Sequence, residues 1–227
     1  MRIKQLHSWD ITYAQARLLQ SDLAGMVQPQ PFNLPEKMLA AGLDCAFSKD
    51  GKTVIAAVVV LQIPGFALIE SAHAAMEVKF PYIPGLLSFR EIPACIAAIE
   101  KLTSLPDVFL VDGQGIAHPR RLGIAAHLGI ILNLPTIGCA KSRLIGEFKE
   151  PRQAKGSSSN LYDKDELIGA VLRTRKNVKP LFVSVGNLVT LEDSIKTVLT
   201  ATKNFRLPEP ARLAHQTVTK LKTNFEF

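Results

Sequence analysis

Two aspartates stand where a carboxylate is unusual, and both could hold a metal ion. Asp44 lies inside the strand-like run 41–47, and Asp112 ends the apolar run 106–112 just before Gly113-Gln114-Gly115. Aspartate is depleted in strands and an uncompensated charge there is costly, so a metal would offset the cost at Asp44. Ligands bind at the carboxyl ends of strands in open α/β sheets, which favours a functional Asp112. The alternatives are an exposed sheet edge for Asp44 and a solvated Asp-Gly turn for Asp112.

Glu91 is a third acidic candidate, and its spacing allows two interpretations. Ser88-x-x-Glu91 fits a capping box, in which the glutamate only accepts a hydrogen bond from the amide of the N-cap residue. Glu91 also shares a helical stripe with Cys95, Ile99 and Leu102, which would direct it towards a sheet. Pro93 disturbs the register, because it falls late for a first helical turn. Spacing alone leaves both interpretations open.

A stiff aromatic segment directly precedes this helix. Tyr82 and Ile83 lie between Pro81 and Pro84, and Gly85 follows. Proline fixes its own φ and keeps the preceding residue extended, so the tyrosine has little freedom to collapse onto the protein. A rigid aromatic tip beside a carboxylate suggests a group that separates a planar partner next to a site of chemistry.

Other candidate signals are weak when each is taken alone. His118, Lys141 and His215 could be a helix cap, a solvated loop charge and a packing residue. The run 46–53 nearly matches a phosphate-binding loop, but that motif requires a helix immediately after it. The β-branched run 54–60 follows instead and predicts a strand, so a hairpin turn explains the match better.

Length and composition indicate a globular protein with a full hydrophobic core. The chain has 227 residues, of which 47% are hydrophobic and 21% charged, and we expect a single domain over 1–227. No apolar run reaches the length of a membrane span, and the first residues lack an apolar signal core. Three cysteines without a Cys-x-x-Cys pair are typical of buried thiols in a reducing compartment. We therefore expect a cytoplasmic protein, with no membrane partner.

The net charge of +7 is unevenly distributed along the chain. Residues 1–112 contain 9 Lys and Arg against 11 Asp and Glu, whereas residues 113–227 contain 18 against 9. Such asymmetry indicates one basic face, and polyanions are the usual partners of basic faces. Solubility alone is the other explanation.

Hydrophobic periodicity and turn signals predict a mixed sheet with helices on both sides. Asp-Gly and Pro-Gly turns join the first three strands, so we expect those strands to be antiparallel. The predicted helices are 9–26 with Ser8 as N-cap, 88–103, about 118–128, 190–200 with Thr190 as N-cap, and a last one after Pro208. The predicted strands are 38–47, 52–62, 66–79, 106–112, 134–139, 167–174 and 180–185, with a polar loop at 147–165.

Four segments together resemble the endonuclease V family of deoxyinosine-directed repair enzymes. They are Pro81-Tyr-Ile-Pro-Gly-Leu-Leu-Ser-Phe-Arg-Glu91, Val111-Asp-Gly-Gln-Gly-Ile-Ala-His-Pro-Arg120, Pro135-Thr-Ile-Gly-Cys-Ala-Lys141 and Leu207-Pro-Glu-Pro-Ala-Arg-Leu-Ala-His215. The resemblance extends from about Gly42 to His215, in the family's order. It implies a ribonuclease H-like α/β fold, with a mixed central sheet flanked by helices.

The resemblance also implies a role for each candidate residue. Asp44, Asp112 and Glu91 would bind Mg²⁺, which Mn²⁺ could replace, and Tyr82 would belong to a strand-separating wedge with Pro81, Ile83 and Pro84. Lys141 and His215 would act at the catalytic centre with the three acids, with His118 nearby. Backbone groups around Gly85, Leu87, Gly113 and Gly123 could line a base pocket. Candidates for phosphate contacts are Arg120, Arg121, Lys141, Arg143, Arg173, Arg175 and Lys179.

The implied activity is hydrolysis of the second phosphodiester bond 3′ to deoxyinosine in DNA, leaving 3′-hydroxyl and 5′-phosphate ends. Some members of the family act on inosine in RNA, and we expect a monomer. Gln114 and Asn187 stand where histidine is common in the family. The competing hypotheses are a non-catalytic binder of damaged or branched nucleic acid, an inosine-specific ribonuclease, and a nuclease of the same architecture for other structures.

Overall fold

The computed structural model describes residues 3–223 and is built around one eight-stranded mixed sheet. Along the sheet the strands follow the order β3-β2-β1-β4-β5-β8-β7-β6. The three central strands β1, β4 and β5 are parallel, and every other neighbouring pair is antiparallel. The strands are β1 (Met38–Phe47), β2 (Thr53–Ile63), β3 (Ala67–Glu77), β4 (Val108–Val111), β5 (Thr136–Ala140), β6 (Ser158–Asp163), β7 (Glu166–Leu172) and β8 (Leu181–Asn187).

Helices cover both faces of the sheet, which confirms the predicted α/β class. On one face Leu43 and Val111 pack with α2 and α3, and on the other Ala40 and Leu110 pack with α4 and α5. Within residues 3–223 no helix is long and apolar enough to cross a membrane. The five helices are α1 (Tyr13–Ala24), α2 (Leu87–Ile99), α3 (Ile124–Leu132), α4 (Leu191–Thr200) and α5 (Glu209–Thr223).

The first three strands confirm the prediction of two consecutive antiparallel hairpins. Every residue from 54 to 61 in β2 is buried, because helices α2 and α5 cover its two faces. The segment that resembles a phosphate-binding loop is the turn between β1 and β2. There the hydroxyl of Ser48 bonds the Asp50 carboxylate and accepts from the amide of Thr53, which closes the hairpin.

Helix α1 begins four residues later than predicted, and Ser8 is not its cap. The hydroxyl of Ser8 accepts from the amide of Asp10, two residues away, and forms a local turn instead. Thr12 is the N-cap, with a capping box in which Gln15 returns a hydrogen bond to the Thr12 amide. Two Ser/Thr signals in succession were present, and only Thr12 is followed by a glutamine three residues later.

Two other predicted boundaries are wrong. His118 does not open α3, since residues 118–121 form a turn with a bond from the amide of Arg121 to the carbonyl of His118. The helix begins after Gly123. The segment 147–165 is not an unstructured loop, because it contains β6, which pairs with β7 at the sheet edge. Exposed polar residues at an edge strand hide the alternation by which strands are recognised.

A glycine brings α5 onto β1 at unusually close range. A Cβ atom at Gly42 would lie 2.0 Å from the carbonyl carbon of Pro210, so only glycine allows this approach. Asp44 is two residues on and shares the strand face of Gly42, and His215 lies one helical turn after Ala211. This backbone contact therefore sets the imidazole of His215 against the carboxylate of Asp44.

The three cysteines are free thiols; Cys95 and Cys139 are buried as predicted, whereas Cys45 is half-buried. Cys45 and Cys95 are fifty residues apart in sequence, yet their Sγ atoms lie 3.3 Å from each other where α2 packs on β1. Cys139 is buried separately on the opposite face of the sheet. Sequence distance between cysteines therefore did not reveal their spatial neighbourhood.

Candidate active site

Two half-buried carboxylates meet at the carboxyl edge of the parallel strands. Asp44 is in the second half of β1, which lies inside the sheet between β2 and β4, so the exposed-edge alternative is wrong. Asp112 directly follows β4, and the Asp44 and Asp112 side chains are 10% and 12% exposed. Lys141 bonds the Asp112 carboxylate, which also excludes the solvated-turn alternative.

Two basic side chains bind these carboxylates. Lys141, which follows β5, donates from Nζ to Oδ2 of Asp112, and Nδ1 of His215 lies 2.6 Å from Oδ2 of Asp44. An ionised carboxylate only accepts hydrogen bonds, so Nδ1 of His215 carries a proton when Asp44 is charged. Nε2 of the neutral imidazole then keeps its lone pair. Ligand atoms of Asp44, Asp112 and His215 all lie within 4.8 Å of one another.

The pKa values of Asp44 and Glu91 reflect burial and the negative charge of neighbouring carboxylates. Burial raises the pKa of Asp44, the charge of Asp112 raises it further, and His215 and Lys141 oppose both effects. Burial raises the pKa of Glu91 to about 8, with further contributions from Asp44 and Asp112. Such mutual shifts mark a site that favours an added cation.

Glu91 reaches this edge from α2, on the face of the sheet opposite α5. It is buried, and no described residue donates a hydrogen bond to its carboxylate. It lies outside the compact group formed by Asp44, Asp112 and His215. Glu91 therefore brings a third carboxyl group to the site from a second position, near the two aspartates.

The capping-box interpretation of Glu91 is wrong. The N-cap of α2 is Leu86, which has no side-chain cap, and the hydroxyl of Ser88 instead pairs with Nδ1 of His127 at 3.1 Å. Glu91, Cys95 and Ile99 are all buried, as the stripe interpretation requires. Pro93 lies at the middle of α2, where it removes one backbone hydrogen-bond donor without ending the helix.

The proline-braced segment presents its tyrosine to solvent. Tyr82 is 70% exposed. Behind it, Gly85 adopts a φ of 78°, and its carbonyl accepts hydrogen bonds from Nε2 of Gln20 at 3.0 Å, Nε2 of His118 at 3.1 Å and Nη2 of Arg120 at 2.8 Å. Three donors on one carbonyl fix the base of the segment while its tip remains free.

His118 has a positioning role in this arrangement. Its Nδ1 accepts from the amide of Arg120 at 3.2 Å, so the proton of the neutral ring is on Nε2 and is donated to Gly85. Burial, and then the charge of Arg120, lower the pKa of His118 to about 4, which keeps the ring neutral. Gln20 is the member that sequence reasoning missed, because a lone glutamine in an amphipathic helix carries no signal.

A cavity of about 420 Å³ lies between the tyrosine segment and the carboxylates. It is lined by Tyr82 on one side and by Asp112 and Lys141 on the other. Its volume is within the range of small-molecule pockets. The four residues predicted for a base pocket, Gly85, Leu87, Gly113 and Gly123, all line this cavity.

The two positions that depart from the expected pattern are both buried. Gln114 lines the cavity and donates from Nε2 to the carbonyl of Ser142, which ties the Lys141 loop to the segment after β4. Asn187 accepts from the amide of Gln28 and donates to the carbonyl of Gly129, so it joins structural elements.

The predicted phosphate contacts divide into engaged and exposed groups. Arg121 pairs with Asp163 and Glu166, and Arg120 holds Gly85. Arg173 is 3% exposed and bonded to Glu150, so its prediction as a phosphate contact is wrong. The exposed members are Arg143, Arg175 and Lys179.

Comparison with known proteins relates the whole chain to one family. The family model described as Endonuclease V matches residues 21–216. The endonuclease V of Dehalococcoides mccartyi is 49% identical over 97% of this chain and 99% of its own length. The crystal structure of the Bacillus subtilis protein superposes with a TM-score of 0.94 at 33% identity, covering 99% of this chain and 98% of that one.

A third relative was solved with nucleic acid. A variant of the endonuclease V of Ciona intestinalis is in complex with a 23mer DNA containing an inosine followed by a ribo-adenosine. It is 29% identical with a TM-score of 0.84, and the match covers 95% of this chain and 100% of that one.

The raised pKa of Glu91 predicts how stability depends on pH without divalent metal. The folded state binds the Glu91 proton up to about pH 8, whereas a free glutamate loses it near 4.5, so the free energy of unfolding falls as pH rises between these values. Urea denaturation in EDTA at pH 6 and pH 8 measures this fall. Glu91→Gln should remove about 2 kcal/mol of it, at roughly 1.4 kcal/mol per pH unit.

The exposed Glu77→Gln variant is the matched control and should keep the wild-type dependence on pH. If wild type and Glu91→Gln lose the same free energy of unfolding between pH 6 and pH 8, the carboxyl of Glu91 does not titrate in this window.

Proposed function

The chain belongs to the endonuclease V family of DNA-repair nucleases, and from this membership we propose that it cleaves DNA at deoxyinosine. It would hydrolyse the second phosphodiester bond 3′ to the lesion and leave 3′-hydroxyl and 5′-phosphate ends. The observation that supports this most is the cluster of Asp44, Asp112, Lys141 and His215 at one end of a cavity that Tyr82 closes at the other. Recognition and hydrolysis would then share a single site.

The fold is ribonuclease H-like, with the parallel strands β1, β4 and β5 at its centre. We propose that residues 1–227 act as one domain and as a monomer. In this architecture each strand brings one group to the same edge: Asp44 from β1, Asp112 after β4 and Lys141 after β5.

The donor set fits a hard divalent cation. Asp44 and Asp112 supply carboxylate oxygens, the ligands that Mg²⁺ prefers, and burial followed by the charge of Asp112 raises the pKa of Asp44. We propose Mg²⁺ as the ion, with Mn²⁺ able to replace it, and Glu91 as a ligand either directly or through water. When bound, the ion would polarise the scissile phosphate and lower the pKa of a bound water.

Lys141 would stabilise charge on the phosphate. Its ammonium group lies between Asp112 and His215, 3.4 Å from Nδ1 of the imidazole, at the mouth of the cavity. As the attacking oxygen adds to phosphorus, negative charge builds on the non-bridging oxygens, and a positioned cation there lowers the barrier. Lys141 now bonds the Asp112 carboxylate. It would become free for this role when that carboxylate pairs with a divalent metal ion instead.

His215 would orient the attacking water or accept its proton. The bond from its Nδ1 to Asp44 holds the ring and leaves Nε2 as the basic nitrogen on a half-exposed side chain. A water hydrogen-bonded to Nε2 would transfer its proton there while its oxygen forms the new bond to phosphorus. The 3′ oxygen leaves and takes a proton from solvent, which gives the 3′-hydroxyl and 5′-phosphate.

Tyr82 would separate the strands so that the lesion can enter the cavity. Removing a base from the stack costs a few kcal/mol, less when the base is mispaired. An exposed aromatic ring on a braced segment can fill the vacated step, as apolar wedges do in other proteins. The clamp on Gly85 keeps this ring beside the cavity while DNA pushes against it.

A nicking assay tests the activity. Duplex DNA carrying one deoxyinosine should be cut with Mg²⁺ and left intact in EDTA, and mapping of the product should place the nick at the second bond 3′ to the lesion. Asp112→Asn should reduce the rate at least about 100-fold, because it removes an anionic ligand of the metal.

The control Asp165→Asn changes an exposed aspartate by the same chemistry and should nick at the wild-type rate. Specific binding of the deoxyinosine duplex without nicking in Mg²⁺ or Mn²⁺ would contradict the endonuclease proposal and favour a non-catalytic binder.

The wedge role predicts a difference between duplex and single-stranded substrates. Tyr82→Ala should slow nicking of deoxyinosine in duplex about tenfold or more, since stacking by an aromatic ring contributes about 1–3 kcal/mol per base. Nicking of deoxyinosine in a single strand should change little, because no stack has to be opened. Tyr162→Ala, at another exposed tyrosine, should leave both rates unchanged. Equal losses on both substrates would remove the wedge role.

An inosine-specific ribonuclease is the second candidate function. The DNA bound by the Ciona intestinalis relative carries a ribo-adenosine after its inosine, so that protein accommodates a 2′-hydroxyl there. The same duplex with deoxyadenosine or ribo-adenosine after the lesion discriminates between the candidates. Faster cutting of the all-deoxy strand supports the DNA repair role, and cutting confined to the ribo-substituted strand would favour the ribonuclease.

A further inference from the structure

A group of exposed cations lies at the same edge of the sheet as the catalytic cluster. They belong to two turns, one at 151–156 before β6 and one at 173–180 between β7 and β8, and neither turn contains an acidic residue. None of these cations forms an ion pair with any residue in the range 3–223. We call them the basic platform: Arg152, Lys155, Arg175, Lys176 and Lys179.

The buried Arg173 joins the two turns. Its guanidinium donates to the carbonyls of Arg152 at 3.2 Å, Pro151 at 3.0 Å and Val178 at 2.5 Å, and pairs with Glu150. Backbone bonds between Arg173 and residues 156 and 157, and between residues 177 and 153, complete the junction. An internal arginine thus uses its own charge to hold the platform residues on one rigid surface.

A second arginine connects the platform to the active site. One nitrogen of Arg206, Nη2, donates to the carbonyl of Lys141 and to the carbonyl of Pro180, each at 2.6 Å. Thr174 in turn donates to the carbonyl of Arg206 at 2.6 Å. The turn that carries Lys176 and Lys179 is therefore fixed directly to the backbone of the catalytic lysine.

The pairing of the strands places the platform beside the site. Ala140 at the end of β5 is opposite Phe182 at the start of β8, and Leu181 is opposite Leu172 at the end of β7. Adjacent strands are about 4.8 Å apart, so the β7–β8 turn lies roughly 10 Å from Lys141. At about 3.4 Å per nucleotide along a strand, this distance corresponds to about three nucleotides.

We infer that the basic platform binds the phosphates of the substrate strand on the 3′ side of the cleaved bond. Its orientation rests on the proposed function: the cavity is lined by Tyr82 and by the first residues of α2 and α3, and Arg206 joins Lys141 to Pro180 in the platform turn. With the lesion in the cavity and cleavage 3′ to it, the strand continues past Lys141 onto the platform. The ligand is a nucleic-acid backbone, because unpaired cations on a rigid surface match its regular row of phosphates.

Binding without catalysis tests the platform separately from the cleavage chemistry. Fluorescence anisotropy in EDTA would measure the affinity for a deoxyinosine duplex at NaCl concentrations from about 50 to about 300 mM. Salt weakens contacts between cations and phosphates over roughly this range. The test variant neutralises the β7–β8 turn: Arg175→Gln, Lys176→Gln and Lys179→Gln. The slope of log affinity against log salt should become less steep by about 2 to 3, with at least about tenfold weaker binding near 150 mM.

A second triple variant removes the same charge at the opposite edge of the sheet. It carries Lys4→Gln, Lys37→Gln and Lys203→Gln, three exposed lysines that lie beside Asn133 before β5, directly before β1 and beside Phe66 in the β2–β3 turn. This control should keep the wild-type slope. An equal change in both triple variants would mean that only net charge matters, and would overturn the platform.

Truncated duplexes test the assigned side. In one duplex, all base pairs more than one nucleotide beyond the cleavage position on the 3′ side are removed. This truncation should weaken wild-type binding and should little change binding by the triple variant of the β7–β8 turn, which we call the platform variant. Truncation on the 5′ side should weaken both proteins equally. The reverse pattern would overturn the 3′ assignment. Loss of binding to phosphatidylserine vesicles in the variant, with an unchanged salt slope for DNA, would assign the surface to a membrane instead.

If deoxyinosine duplex is bound but never nicked, the proposed function fails while the salt and truncation results still decide the platform. If nicking proceeds and the platform variant binds as wild type does, the platform alone fails. Equal thermal stability of both triple variants and wild type would confirm that neither set of exposed substitutions alters the fold.

Discussion

The repulsion among three carboxylates at one sheet edge is the constraint on which the rest of this structure depends. Asp44, Asp112 and Glu91 come from three elements and are largely withdrawn from water. Burial and the charge of Asp112 raise the pKa of Asp44, and burial and the charges of both aspartates raise the pKa of Glu91. Bringing like charges together in a partly buried place is tolerated only where counter-charges are held close to them. Lys141 after β5 supplies such a counter-charge to Asp112, and His215 on α5 donates a hydrogen bond to Asp44, so the loop after β5 and helix α5 both pack on this edge.

The carbonyl of Gly85 organises the second half of the site in a similar way. One oxygen accepts from an α1 side chain and from two residues of the turn before α3, so three distant parts of the chain converge on a single atom. Because Gly85 ends the proline-braced segment, the clamp connects the exposed Tyr82 to the walls of the cavity. His118, which the family motifs place near the catalytic centre, is neutral and serves this junction.

Local signals predicted those parts of the structure that depend on neighbours in sequence. The tight turns gave the two hairpins, Thr190 was correctly identified as the cap of α4, and the apolar stripe of α2 correctly oriented Glu91. The family motifs brought the carboxylates, Lys141 and His215 into one group before any distance was known. The misses have another origin: Arg173, Gln20 and Arg206 act through the carbonyls of residues remote in sequence, and side-chain type does not reveal such partners.

The strand β6 and the start of α3 were missed for a related reason. An edge strand with polar residues lacks alternation, and α3 begins at a glycine whose amide bonds the carbonyl of Gly115 rather than at a side-chain cap. The missing Cβ of Gly42 has a comparable consequence for the catalytic groups. Because α5 rests on β1 through backbone atoms, the main chains that carry Asp44 and His215 are held at a fixed spacing, and the bond between the two side chains then orients the imidazole. The spacing of this pair is therefore complete once the chain has folded, before any substrate arrives.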